Sequence, residues 1–173
     1  RAGRAGWRGA RRRADGPAVS LRMASFRIAP RVPRVALVTG GARRIGASLV
    51  EMLAEQGFAV AIHCRDSTHQ AEELLKRIGG KGCVLKADLH CEDDVEALLP
   101  RVLAALGPVG VLINNASAFI RDEMSSVTRE SRDLHLETNL RAPFVLTQAM
   151  AQVLPEGAEG LILNMLDQRV WNL

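Results

Sequence analysis

Short apolar runs alternate with amphipathic stretches from Val35 onward, and this alternation limits the fold more than any other feature. Val35–Val38 reads as a buried strand ending at Thr39-Gly40-Gly41. A helix pattern follows, with Ile45, Leu49, Met52 and Leu53 on one face and Gly57 as its stop. Residues 58–62 (FAVAI) form a second strand, Ala71–Ile78 a short helix with Leu74, Leu75 and Ile78 inward, and Gly82–Lys86 a third strand. Glu92, Asp93 and Asp94 open the next helix, acids placed at its positive end. It runs to Leu106, and Pro100 inside it predicts a kink. Val109–Ile113 is a fourth strand. A long helix from about Arg132 to Val153 is expected to break near Pro143, and residues 160–166 give a fifth strand.

Strand and helix in strict alternation require a parallel sheet with right-handed crossovers and helices on both faces. The fold class is therefore α/β, a doubly wound sheet of about five strands. Ligands of such sheets bind beyond the carboxyl ends of the strands. The unusual polar residues of this chain cluster there: residues 39–46, 63–67, Asp88, 114–117 and Asp167.

The first turn is Thr39-Gly40-Gly41-Ala42-Arg43-Arg44-Ile45-Gly46. Glycines between a strand and a helix N-terminus let backbone N–H groups approach a pyrophosphate, and the helix dipole favours its charge. The turn is not a GxGxxG fingerprint, and a glycine-rich turn can be purely structural. The second strand ends in His63-Cys64-Arg65-Asp66-Ser67, close to twenty residues after that turn, where an adenosine ribose is read. An acid there grips a 2′-hydroxyl and a cation grips a 2′-phosphate. Arg65 lies nearer the strand end, with Arg43 across the cleft, so the expected cofactor is NADP(H). A charged hydrogen bond of about 1.5–3 kcal/mol gives roughly a ten- to hundredfold preference. Two merely solvated arginines are the competing reading. Asp88-Leu89 follows the third strand, where the carboxylate can accept from the adenine amino group, cap the next helix, or do both. Asn114-Asn115-Ala116-Ser117 follows the fourth strand; its small residues let the backbone run beside a cofactor, and its asparagines can tie strand ends together.

These motifs, with Asn139 in the following helix, resemble the short-chain dehydrogenase/reductase family over residues 34–173, which implies a Rossmann-like sheet. Three departures narrow the resemblance. Arg44 stands where most of that family has Gly, the fourth-strand motif reads NNASAF rather than NNAG, and Asp167 in NMLD stands where most have a catalytic Ser. Together they resemble the pteridine reductases and the related dihydrofolate and dihydromonapterin reductases. The resemblance implies that Phe119 stacks on a flat pterin against the nicotinamide. Ser117 and Arg44 would contact the pterin edge and the cofactor phosphate. Asp167 would orient a tyrosine or relay a proton, and Asn139 would hold a water chain behind a lysine. It also implies a small-molecule pterin-like or other carbonyl or imine substrate, a homodimeric or homotetrameric parent, and a cytoplasmic setting. No metal site is expected.

The family's Tyr-x-x-x-Lys pair belongs roughly a dozen residues beyond Asp167. The chain contains no tyrosine, and its lysines are Lys76, Lys81 and Lys86. The expectation is a truncated or partial product, itself inactive for want of a proton donor. A non-catalytic binding module and a reductase of another carbonyl compound are the alternatives.

Charge divides the chain. Residues 1–34 hold ten arginines against Asp15, so the overall +4 leaves the other 139 residues at −5. Residues 1–33 are read as a basic arm lacking periodicity and expected to be disordered. The arm fits translated sequence upstream of a natural start at Met23. It also fits a targeting peptide, although it is poor in serine. A nucleic-acid arm is the weaker reading, with Trp7 its one aromatic and no folded basic face beside it. No apolar run reaches eighteen residues, so no membrane span is indicated. Cys64, Cys83 and Cys91, odd in number and without a CxxC pair, suit reduced thiols in a cytosol.

Overall fold

The computed structural model describes residues 28–167. Five parallel strands lie in the order β3-β2-β1-β4-β5. They are β1 (Val35–Val38), β2 (Ala59–Cys64), β3 (Gly82–Lys86), β4 (Val111–Asn114) and β5 (Leu161–Asn164). Val35 pairs with Ala59, Val60 with Gly82, Ala36 with Val111, and Val111 with Leu161. The helices are α1 (Arg44–Glu55), α2 (Thr68–Arg77), α3 (Glu92–Leu106), α4 (Arg129–Leu136) and α5 (Ala142–Val153).

The alternation of side chains along each strand builds two cores. Ala36, Val38, Val60, Ile62, Val111 and Ile113 face one way, onto Val50 and Leu53 of α1 and Leu74 of α2. Val35, Leu37, Ala61 and Leu112 face the other way, onto Val95, Leu98 and Val102 of α3 and Leu146 and Met150 of α5. The doubly wound, three-layer arrangement expected from the alternation is present.

Two local expectations are corrected, and two others take a definite form. In α1 the buried stripe is Gly46, Val50 and Leu53, whereas Ile45 is 60% exposed and Met52 is also exposed. The N-terminus of α1 runs so close to Gly40 and Asn115 that residue 46 takes the inner position, which turns Ile45 out toward the cleft. Helix α3 continues through Pro100, which stands inside it as expected. Proline at 100 frees the carbonyl of Glu96, and both residues lie on the exposed side, open to solvent. The long helix starts at Arg129, three residues early, because Thr128 and Ser131 form a reciprocal capping box. Its interruption, expected near Pro143, is a π-helical turn, Glu137–Arg141, just before the proline. Pro143 has no N–H for the Asn139 carbonyl one turn back, so the wider turn forms there.

Residues 28–33, read as part of the arm, pack against the domain. Val32 is 6% exposed, Ile28 and Ala29 lie against the α1 core, and a Cβ on Gly110 would meet the Pro33 carbonyl at 2.1 Å. The folded unit therefore reaches back at least to Ile28. Met23 and the arginine-rich stretch before it lie outside the described residues. Strand β5 is an edge whose Leu161, Ile162 and Leu163 are all exposed. No helix among the described residues is long and apolar enough to cross a membrane.

Candidate active site

A cleft of about 670 Å³ opens at the carboxyl ends of the strands, where the order reverses between β1 and β4. Its floor is the turn after β1. Gly40 has φ +62°, and a Cβ there would stand 3.0 Å from the Ala116 Cα. At Gly46 a Cβ would stand 2.2 Å from the Gly40 carbonyl oxygen. The backbone could not run so close with larger residues at these two points.

Helix α1 enters the cleft uncapped. Its N-cap is Arg43, no side chain bonds its first N–H groups, and its first turn holds no acid. Helix α3, by contrast, carries Glu92, Asp93 and Asp94 in its first turn. Arg43, Arg44, Ile45 and Gly46 all line the cleft, so the donors and the positive dipole end of α1 face open space. That donor set fits a pyrophosphate. Arg44 has φ +52°, the one positive value among the described non-glycine residues. Such backbone costs an arginine roughly 1–3 kcal/mol and is retained where the surroundings impose it.

Thr39 and Asn114 lie beneath the cleft rather than in it, and they hold its walls. The Thr39 hydroxyl accepts from the N–H groups of Asn115 and Ala116, each at 3.0 Å. The Asn115 amide donates to the carbonyls of Thr39 at 2.9 Å and Gly40 at 3.1 Å, which ties the end of β4 to the glycine turn. The Asn114 amide donates to the Asn164 side-chain oxygen at 2.8 Å and ties β4 to β5.

At the ends of β2 and β3 the cleft is lined by Arg65, Asp66, Ser67, Asp88 and Leu89. The Arg65 Nε donates to the Asp66 carboxylate at 2.8 Å, with both side chains more than half exposed. The cation and the acid considered separately in the sequence thus form one pair. Asp88 does not cap α3, whose N-cap is Cys91 without a side-chain bond. Its Oδ1 accepts from the His90 N–H, closing a local turn. With Arg43, Arg44 and Arg65 against Asp66 and Asp88, the lining carries a net +1, suited to a polyanion. His63 is buried, and both ring nitrogens are engaged by main chain: Nδ1 accepts from Gly40 N–H and Nε2 lies 3.1 Å from the Ala87 carbonyl. Burial pushes the thiols of Cys64 and Cys83 above the ordinary cysteine value, which leaves them poor nucleophiles.

At the other end Ser117 and Phe119 line the cleft, with Phe119 79% exposed. Their loop is held from behind. Asn139, in the π-helical turn, accepts from the Ala118 N–H and donates to the Ala118 carbonyl, both at 2.8 Å. His135, one turn earlier on α4, accepts through Nε2 from the Ile120 N–H at 2.8 Å. Its Nδ1 faces the Asp122 carboxylate at 3.7 Å, and its ring lies 6.4 Å from that of Phe119. His135 escaped the sequence reading. Its four-residue spacing from Asn139, which lets both reach one loop, was the available signal. Asp167 is exposed, three residues beyond β5, and is not among the cleft-lining residues.

Residues 34–167 match the family described as short chain dehydrogenase. The chain belongs to that family. Among solved structures it is similar to FolM alternative dihydrofolate reductase 1 from Brucella suis in complex with NADP. That likeness has 42% identity and a TM-score of 0.77, covering 80% of this chain and 59% of the other. The Brucella canis FolM complexed with NADP gives 41% identity and a TM-score of 0.79, over 83% and 59%. A probable galactose dehydrogenase, GalD of Rhizobium meliloti, is 39% identical over 76% of this chain and 52% of its own length. The chain spans about half the length of the curated relatives it matches.

Proposed function

We propose that this chain is the cofactor-holding part of an NADP(H)-dependent short-chain reductase of the pteridine reductase type. Arg43 and the uncapped start of α1 hold the pyrophosphate, Arg65 and Ser67 the 2′-phosphate, and Asp88 the adenine. Bound NADPH supplies a hydride for a C=N or C=O bond. Phe119 presents a ring face to a flat heterocycle, with Ser117 beside it and Arg44 across the cleft. The single observation carrying the pterin reading is this pairing of an exposed Phe119 with an Arg44 kept at positive φ. The two FolM likenesses, both of NADP complexes, support it.

The GalD match favours a second reading, a dehydrogenase of another carbonyl or hydroxyl substrate. A non-catalytic dinucleotide-binding module is the third. The proton donor of the family, the tyrosine of Tyr-x-x-x-Lys, is not among the 173 residues. These residues alone are therefore expected to show no turnover.

The test uses the chain joined to a downstream segment bearing Tyr-x-x-x-Lys. Dihydropterin, dihydrofolate and galactose are offered in turn. Pterin reduction with NADPH, and a rise in pterin KM of about tenfold or more in Phe119→Ala, is the expected result. Galactose oxidation without pterin reduction would replace this reading with the second.

A further inference from the structure

His63 is 2% exposed, yet it touches both halves of the adenosine end of the cleft. Its Nδ1 lies 3.1 Å from the Gly40 nitrogen, and its Nε2 lies 3.1 Å from the Ala87 oxygen. A backbone N–H only donates and a carbonyl only accepts. The ring therefore carries its proton on Nε2 and keeps the Nδ1 lone pair for Gly40. The His63 carbonyl also accepts from the Gly41 N–H at 2.9 Å. One residue thus holds two successive N–H groups of the glycine turn and, through its ring, the end of β3. Ala87 immediately precedes Asp88, so the ring links the pyrophosphate side of the cleft to the adenine side.

We propose that His63 is a positioning residue that locks the glycine turn to the β3 end, so that dinucleotide binding requires a neutral imidazole. This rests on reading the cleft as a dinucleotide site. A second ring proton would set an Nδ1–H against the Gly40 N–H, donor against donor, in a place closed to water. The turn must then part from β2, and the close approach of Gly40 to Gly46 and Ala116 goes with it. The surrounding charges divide. Asp88 beyond β3 and Asp94 on α3 favour the charged ring, and Arg101 on α3 opposes it. Burial is the largest influence and keeps the ring neutral.

The test uses the full chain with its four histidines. Nitrogen-15 NMR assigns the tautomer and titration of each ring, and calorimetry gives the Kd for NADP+ and NAD+ at pH 8. NAD+ is then followed down to pH 5, because it lacks a 2′-phosphate that would itself titrate near pH 6. His63 is expected as the Nε2–H tautomer, charging below the ordinary imidazole value. NAD+ affinity should fall at least tenfold with that step. His63→Leu should weaken both dinucleotides about tenfold or more at pH 8. His63→Gln, which keeps an acceptor and a donor but gains no proton, should restore part of the affinity and lose the acid step. A His63→Leu chain binding within twofold of wild type, or an unchanged acid step in His63→Gln, overturns the lock while the cofactor reading stands. An Nδ1–H tautomer in wild type overturns it without recourse to any variant. Wild type binding neither dinucleotide at pH 8 defeats the cofactor reading itself, and the role of the ring with it.

Discussion

Asn139 pairs with Ala118 as a neighbouring strand would, taking its N–H and giving to its carbonyl, both at 2.8 Å. The pairing fastens the loop that carries Phe119 to the π-helical turn that Pro143 induces. Two exposed hydrogen bonds are worth about 1–2 kcal/mol together. Asn139→Ala is expected to lower Tm by a few degrees and to loosen the loop more than the domain. Limited trypsin digestion reads this directly, since Arg121 lies in the loop and is exposed. Cleavage there should accelerate several-fold, on the order of the lost equilibrium stability. Unchanged cleavage would mean that other contacts, His135 among them, hold the loop.

Gly46 and Arg44 are expected to respond in opposite senses. A Cβ at 46 meets the Gly40 carbonyl at 2.2 Å and the Asn115 amide at 2.8 Å, and neither group has room to retreat. Gly46→Ala should cost about 1–3 kcal/mol or more, and Tm should drop by several degrees. Arg44→Gly relieves the backbone at φ +52° but frees the unfolded chain, so its Tm should hold or rise slightly. Its dinucleotide affinity should nevertheless fall. A large Tm loss in Arg44→Gly would show that the side chain is held for stability rather than for a ligand.

His63 adds a pH dependence to stability. Burial holds its pKa below the ordinary imidazole value. In the unfolded chain it titrates near ~6.5. Above that pH both states are neutral, and the group contributes no pH dependence. As pH falls below it, the unfolded chain binds a proton that the folded chain refuses, so stability declines until the folded value is passed. Urea unfolding of wild type and His63→Gln at pH 7.5, 6.5 and 5.5 checks this. The wild-type advantage should shrink as pH falls; an advantage constant across the range would contradict it.

The layered architecture was legible because its signals are regular: short continuous apolar runs in β1 and β4, buried on both faces, and helical spacing through α3. The cleft residues were legible because a parallel sheet delivers them to one end whatever their detailed contacts. Four things were not legible. The α1 stripe shifted because Gly46 packs inward against backbone, a contact that the sequence does not display. The tie from His63 to Ala87 depends on the register of β2 against β3. The Arg65–Asp66 pair depends on side-chain conformations at an exposed strand end. The His135 contact joins a helix to an irregular loop with no period of its own.

The central claim is that the cleft recognises the adenosine end of NADP(H), whose assigned contacts lie within the described residues. Calorimetry of the 173-residue chain with 2′,5′-ADP and with 5′-AMP isolates that end from the nicotinamide and the substrate. We expect 2′,5′-ADP to bind at least tenfold tighter, with most of the difference lost in Arg65→Ala. Equal affinity for the two nucleotides, or a preference for 2′,5′-ADP that survives Arg65→Ala, would contradict the 2′-phosphate assignment, and no binding of either would contradict the account as a whole.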